Sequence, residues 1–306
     1  REVLALALSV EDAWRERESL PIAAGSCAGQ ALRLLVQACA DAGRYGEAQS
    51  WARRLRTRAE EASPRVEQAL VFAASALSAL HLRFGFLRAA AETRVELSSE
   101  ARPAERAWRS GLELYARGLR ALEAGQCLEA ERQCGALEAL GPPLLEEGKT
   151  DGLCPRDVAR VVELAACELR GALEARQGDS ARAEATLVRA MRLERRLRPV
   201  GPPAFSRPAR ETLARVRSRF GRDDKALELA EALLSERPGQ GHAWLHLAEL
   251  HLARGATPEA TRALGACLQC WHEADAHLAE VQRARALLAG TSRPRHLRLA
   301  GDNAPA

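Results

Sequence analysis

GHAWLHLAELHLARGATPEATRALGACLQC, running from Gly241 to Cys270, places Trp244, Leu247, Ala248 and His251 on one face of a first helix. Ala260, Leu264 and Cys267 lie on one face of a second. Gly255 stands between the two runs, where a helix ends most readily in a left-handed residue without a Cβ. Two short amphipathic helices joined this way cannot bury their apolar faces alone, so they must stack on neighbours of the same kind.

Neighbours are present. Five earlier turns carry the same signature: Gly43 in DAGRYGEA, Gly85 in RFGFLRAA, Gly125 in EAGQCLEA, Gly178 in RQGDSARA and Gly221 in RFGRDDKA. In all six an alanine follows five residues later: Ala48, Ala90, Ala130, Ala183, Ala226 and Ala260. The small side chain lets the second helix approach the first. The glycines are 42, 40, 53, 43 and 34 residues apart. Only the last interval fits a strict period of about 34 residues, so the others need longer helices or loops.

Composition supports an all-helical chain. Of the 306 residues 47% are hydrophobic but only 4% aromatic. Alanine, leucine and arginine dominate, all good helix formers. No strand-like alternation persists. The fold expected is all-α, a right-handed α-solenoid of about six antiparallel helical hairpins.

The divisions expected are an N-terminal helix or partial repeat over 1–24, a solenoid over 25–272, a polar capping helix over 273–290 and a loose tail over 291–306. GPPLLEEGKTDGLCP (Gly141 to Pro155) reads as a loop. RPVGPPAFSRP (Arg198 to Pro208) reads as a break, because its four prolines stop a helix. Leu144, Leu145 and Phe205 read as apolar anchors within these segments, which favours one continuous, irregular superhelix over independent domains.

The formal net charge is +4, and most arginines have a carboxylate within a turn or two. That pattern describes solvated helix faces laced with ion pairs worth roughly 0.3–0.5 kcal/mol each. It is not the clustered basic surface of a nucleic-acid binder. No apolar run reaches the 18 residues of a membrane span. The eight cysteines sit mostly inside helices and read as reduced thiols of a cytoplasmic protein. The chain starts at Arg1 without Met, which leaves room for a cleaved leader or a missing N-terminal part.

From about Cys27 to His272 the chain resembles a divergent bacterial-type tetratricopeptide repeat protein. ELYARGLRALEAGQCLEAE resembles a middle repeat of that family. The run from Met191 to Leu250 resembles its C-terminal repeats. Where members carry a His-Met-Pro-Ser-His run, this chain reads CAGQALR (Cys27 to Arg33) without histidine, so no metal or catalytic role is carried over. The resemblance implies a fold and a generic binding role.

Two constellations invite chemistry. Cys267 and Cys270, with His272 and the preceding His242 and His246, have the donor types of a tetrahedral zinc site. At 100° per residue, however, His242 and His246 lie about 160° and about 200° from Trp244, on the far side from the second helix. The cysteines read as core, and no cofactor is expected.

His242 and His246 instead fall on the face that lines the concave groove in this repeat type. Matching positions of preceding repeats are Glu211, Arg215 and Arg219, with Arg176 near a turn. Such a lining suits a protein or peptide partner with acidic groups. The corresponding positions nearer the N-terminus are apolar: Phe72, Ala76, Ala79, Leu112, Tyr115, Leu119 and Leu122. They read either as a groove for a partner helix or as a surface the superhelix buries on itself.

No Gly-x-Ser-x-Gly, Walker-type or His-Glu-x-x-His motif occurs, and Glu60/Glu61 and Glu146/Glu147 read as solvated. The function expected is therefore a non-enzymatic scaffold or adaptor. The alternatives are a solenoid domain of a larger regulatory assembly, or a metal-binding or enzymatic protein using Cys267, Cys270 and nearby histidines.

Overall fold

The computed structural model describes residues 27–61, 67–147, 153–197 and 205–291. The expected helix over 1–24 and the tail beyond 291 lie outside them. The described residues form thirteen α-helices and no strand. They are α1 (Cys27–Asp41), α2 (Tyr45–Glu61), α3 (Glu67–Arg83), α4 (Leu87–Glu92), α5 (Pro103–Glu123), α6 (Cys127–Glu146), α7 (Pro155–Arg176), α8 (Ser180–Arg196), α9 (Ala209–Arg219), α10 (Asp223–Glu236), α11 (Gly241–Ala253), α12 (Thr257–Cys270) and α13 (Ala279–Thr291).

The six glycines read from the sequence are the positive-φ residues of the described chain, with φ between 69° and 92°. Four of the turns close the same way. The N–H of the residue after the glycine reaches back five residues, as in Gln126 N–H to Ala121 O (2.9 Å) and Ala256 N–H to His251 O (2.9 Å). The glycine N–H reaches back three, as in Gly125 to Leu122 O (3.2 Å). Phe86 and Asp179 repeat the longer bond to His81 O and Glu174 O. This Schellman geometry satisfies carbonyls the helix end would leave bare. The alanines five residues on are all buried, as close helix approach requires. Proline at the first or second position starts α5, α7 and α12, where its missing N–H costs nothing.

Two corrections to the sequence reading lie at the end of α6. Residues 141–146, expected in a loop, continue the helix through Pro142 and Pro143. Both prolines stand in its last turns, each removing one backbone donor, and Leu144 is buried in the core. Leu145, expected as an anchor, is 56% exposed.

The chain divides into two compact units. The first comprises Arg1–Ala40 and Tyr45–Gly221; the second comprises Asp41–Arg44 and Arg222–Ala306. In the first, α2 packs on α3, and α5, α6, α7 and α8 pack in succession, with α9 on α8. Its core centres on Trp108, Leu112, Tyr115, Leu119, Val162, Leu169 and Phe205, all buried. At its N-terminal end Tyr45 shares a 2.8 Å hydrogen bond with His81 Nδ1. Burial, helped by Arg53, pushes that imidazole down to about 4.

In the second unit α11 packs on α10, α12 and α13. The turn Asp41–Arg44 belongs here: Asp275 N–H donates to Gly43 O at 3.0 Å, and Arg44 pairs with Glu273 at 3.5 Å. A Cβ on Gly43 would lie 2.6 Å from Ala274 Cβ and 3.0 Å from Trp271, whereas one on Gly255 would meet nothing within 4 Å. Gly255→Ala is therefore expected to cost only the left-handed strain, about 1–2 kcal/mol. Gly43→Ala adds an overpacking cost of about 1–3 kcal/mol. Thermal unfolding of the two single variants checks the order, and equal losses would contradict the close packing at Gly43.

Candidate functional site

The expected groove residues are placed as follows. In the first unit Arg176, Arg215 and Arg219 are exposed, the last two one turn apart on α9. Glu211, on the same row, is buried and accepts a 2.7 Å hydrogen bond from Arg83 at the end of α3. In the second unit His242 is buried edge-on to Trp271, with ring centroids 4.9 Å apart. His246 is half-buried, 4.0 Å from Glu249. Arg215 and Arg219 are thus exposed, and Glu211 and His242 are buried.

The candidate metal residues do not converge. Cys267 is buried and its thiol donates to Gly241 O at 3.2 Å; Cys270 reaches Pro238 O at 3.7 Å. His272 contacts Gln269 O at 3.1 Å and Glu273 at 3.4 Å. Burial pushes the Cys267 thiol up to about 12, away from the thiolate that binds metal or attacks carbon. Among the described residues no group of three or more His, Cys, Asp or Glu is arranged to hold a metal ion.

A different site stands out in the first unit. A groove of about 440 Å³ runs across α6, α7 and α8. Its floor is apolar: Leu137, Ala159, Val162, Ala166 and Cys167. Residues 159, 162, 163, 166 and 170 of α7 recur at helical spacing, which puts them on one face. Two cross-helix ion pairs mark the rim. Arg170 grips Glu138 of α6 with contacts of 2.9–3.1 Å, and Arg189 of α8 pairs with Glu163 of α7. Leu145 supplies an exposed apolar edge. Burial pushes the Cys167 thiol up to about 11, so it acts as an apolar floor residue.

The sequence reading missed this groove because its wall is the stretch of α6 taken for a loop. It also missed a buried polar network that joins α5, α7 and α9. Glu168 of α7, fully buried, accepts from Tyr115 Oη (2.5 Å), Thr212 Oγ1 (2.6 Å) and Arg207 Nε (3.3 Å). Burial, then the Glu168 charge, raises the Tyr115 pKa well above its ordinary value. Burial alone would lower the Arg207 pKa; Glu168 and Tyr115 outweigh it and raise it. The available signal was Glu168, the second of two carboxylates in the largely apolar run VVELAACELRGAL; the first, Glu163, is the rim residue paired with Arg189.

No protein-family model matches the chain, and no curated protein matches it. Among solved structures, it is similar to a chain of the Saccharomyces cerevisiae separase–securin complex, with a TM-score of 0.58 at 12% identity over 90% of its length. It spans 19% of that chain. It is also aligned with the P58(IPK) TPR domain at 13% identity and a TM-score of 0.35, covering 87% of this chain and 80% of that one. The first likeness, with the helices described above, makes the fold an all-α solenoid of helical hairpins.

Among the described residues no helix is long and apolar enough to cross a membrane.

Proposed function

We propose that the protein is a non-enzymatic interaction scaffold of tetratricopeptide type that holds a protein or peptide partner. The groove across α6, α7 and α8 carries this reading. It offers apolar floor area to a partner side chain, and its lining charges are three arginines, Arg160, Arg170 and Arg189, against two glutamates, Glu138 and Glu163. That balance suits a segment with an apolar residue beside an acidic one. The rim ion pairs are partly exposed, and pairs of that kind are worth only about 0–1 kcal/mol. A partner carboxylate can therefore take over a guanidinium at little cost. Arg215 and Arg219, exposed on α9, extend the basic surface available to an acidic partner. The free cysteines support a cytoplasmic location.

Random peptides displayed on phage and panned on the full chain test the proposal. Peptides pairing an apolar residue with Asp or Glu are expected to be enriched. Leu145→Glu, at an exposed position, is expected to weaken them about tenfold, and Arg215→Glu with Arg219→Glu several-fold, with the circular-dichroism melt unchanged. Failure to enrich peptides, or equal binding to both variants and the parent, would overturn the reading.

A second reading, a solenoid domain acting within a larger assembly, is favoured by the 19% share of the separase–securin chain that this protein spans. A longer reading frame with further domains attached would decide for it.

A further inference from the structure

The inner faces of α5 and α7 in the first unit are already occupied. Residues 205–208 cross them in non-helical conformation. Phe205 is fully buried, edge-on to Trp108 (5.4 Å between centroids) and against Tyr115 (6.0 Å). It passes over Gly111, where a Cβ would stand 3.1 Å from Phe205 Cζ. Arg207 donates its backbone N–H to Tyr115 Oη at 2.9 Å and its Nε to the buried Glu168 at 3.3 Å.

These are the devices by which a groove grips an extended peptide: an aromatic anchor in a pocket, a main-chain N–H held by a side chain, and a charge-assisted bond at the end. The fit has one fault. Ser206 Oγ, between the two anchors, is shielded from solvent with no hydrogen-bond partner among the described residues, so it loses the bond it would make to water. Part of what surrounds the segment is also held without it. Thr212 of α9 holds Glu168 independently at 2.6 Å, and Glu211 holds Arg83 at 2.7 Å. Displacing 205–207 leaves those two bonds in place but removes the Arg207 charge from the buried Glu168, which the arginine of an incoming segment would restore.

We propose that this face is a peptide-binding site filled in cis by Phe205, Ser206 and Arg207, and that a partner segment with an aromatic residue two positions before an arginine enters it by displacing them. The inference goes beyond the scaffold reading and does not use the α6–α8 groove, so Leu145→Glu leaves it untouched.

The probe is a fluorescein-labelled synthetic peptide of residues 203–210, followed by fluorescence anisotropy with the full chain. Phe205→Ala with Arg207→Ala empties the site and is expected to bind the peptide at least tenfold more tightly than the parent. A probe with alanine in place of its serine is expected to bind several-fold more tightly still. Equal affinity for parent and variant, or no binding to a folded variant, would overturn the proposal. Arg207→Ala alone, which keeps the aromatic anchor, serves if the double variant fails to fold. At least threefold tighter binding than the parent supports displacement, and no difference overturns it.

Discussion

Glu168→Ala is expected to lower the unfolding free energy by about 3–5 kcal/mol, the largest loss for any single polar side chain of the first unit. The carboxylate is fully buried and accepts from Tyr115, Thr212 and Arg207. Its removal strands two hydroxyls and leaves the Arg207 guanidinium, 23% exposed, without its partner. Each stranded hydroxyl costs about 1–3 kcal/mol, and the cavity adds to that. Glu168→Gln keeps an acceptor oxygen but loses the charge, and about half the penalty is expected. Urea denaturation followed by circular dichroism measures both. A loss below about 1 kcal/mol for the alanine variant would show that water replaces the network.

Trp108→Ala is expected to cost about 3–5 kcal/mol as well, for a different reason. The indole is fully buried, edge-on to Phe72 (5.9 Å) and Phe205 (5.4 Å), and donates to Ser75 Oγ at 2.6 Å. Ser75 in turn donates to Val71 O at 2.7 Å. Trp108→Phe keeps most of the ring volume and loses the donor, so about 1–2 kcal/mol is expected. Phe205 touches both Trp108 and Tyr115, the latter bonded to Glu168. The Trp108→Ala and Glu168→Ala losses should therefore fail to add, with a coupling of at least about 0.5 kcal/mol. Strict additivity in the double variant would mean that Phe205 does not link the aromatic and polar halves of this core.

Helix ends were legible in the sequence because one residue type solves one local problem. Gly85, Gly125, Gly178 and Gly255 each end a helix in the left-handed region, and the alanine five residues later marks where the return helix must come close. Of the apolar row Phe72, Ala76, Ala79, Leu112, Tyr115, Leu119 and Leu122, five are buried, and Ala76 and Ala79 are half-buried. What covers that row in the first unit was not legible. Phe205 lies 90 residues from Tyr115, and nothing local in AFSRP records that its partners are an aromatic pair and a carboxylate on other helices. The same holds for Glu211, whose partner Arg83 is 128 positions away. Periodicity describes which face of a helix is apolar; it says nothing of which distant segment fills it. The α6 error had another origin. Two consecutive prolines usually end a helix, and only the burial of Leu144, a tertiary effect, carries this one further.

The glycine turns also set how freely each can drift over evolution. At Gly125, Gly178, Gly221 and Gly255 a Cβ meets nothing within 4 Å, so only backbone handedness holds the residue, and asparagine, which visits the left-handed region at modest cost, is an accessible replacement. Gly43 carries a second constraint from Ala274 and Trp271. A chain descended from this one would keep that glycine long after the other turns had changed.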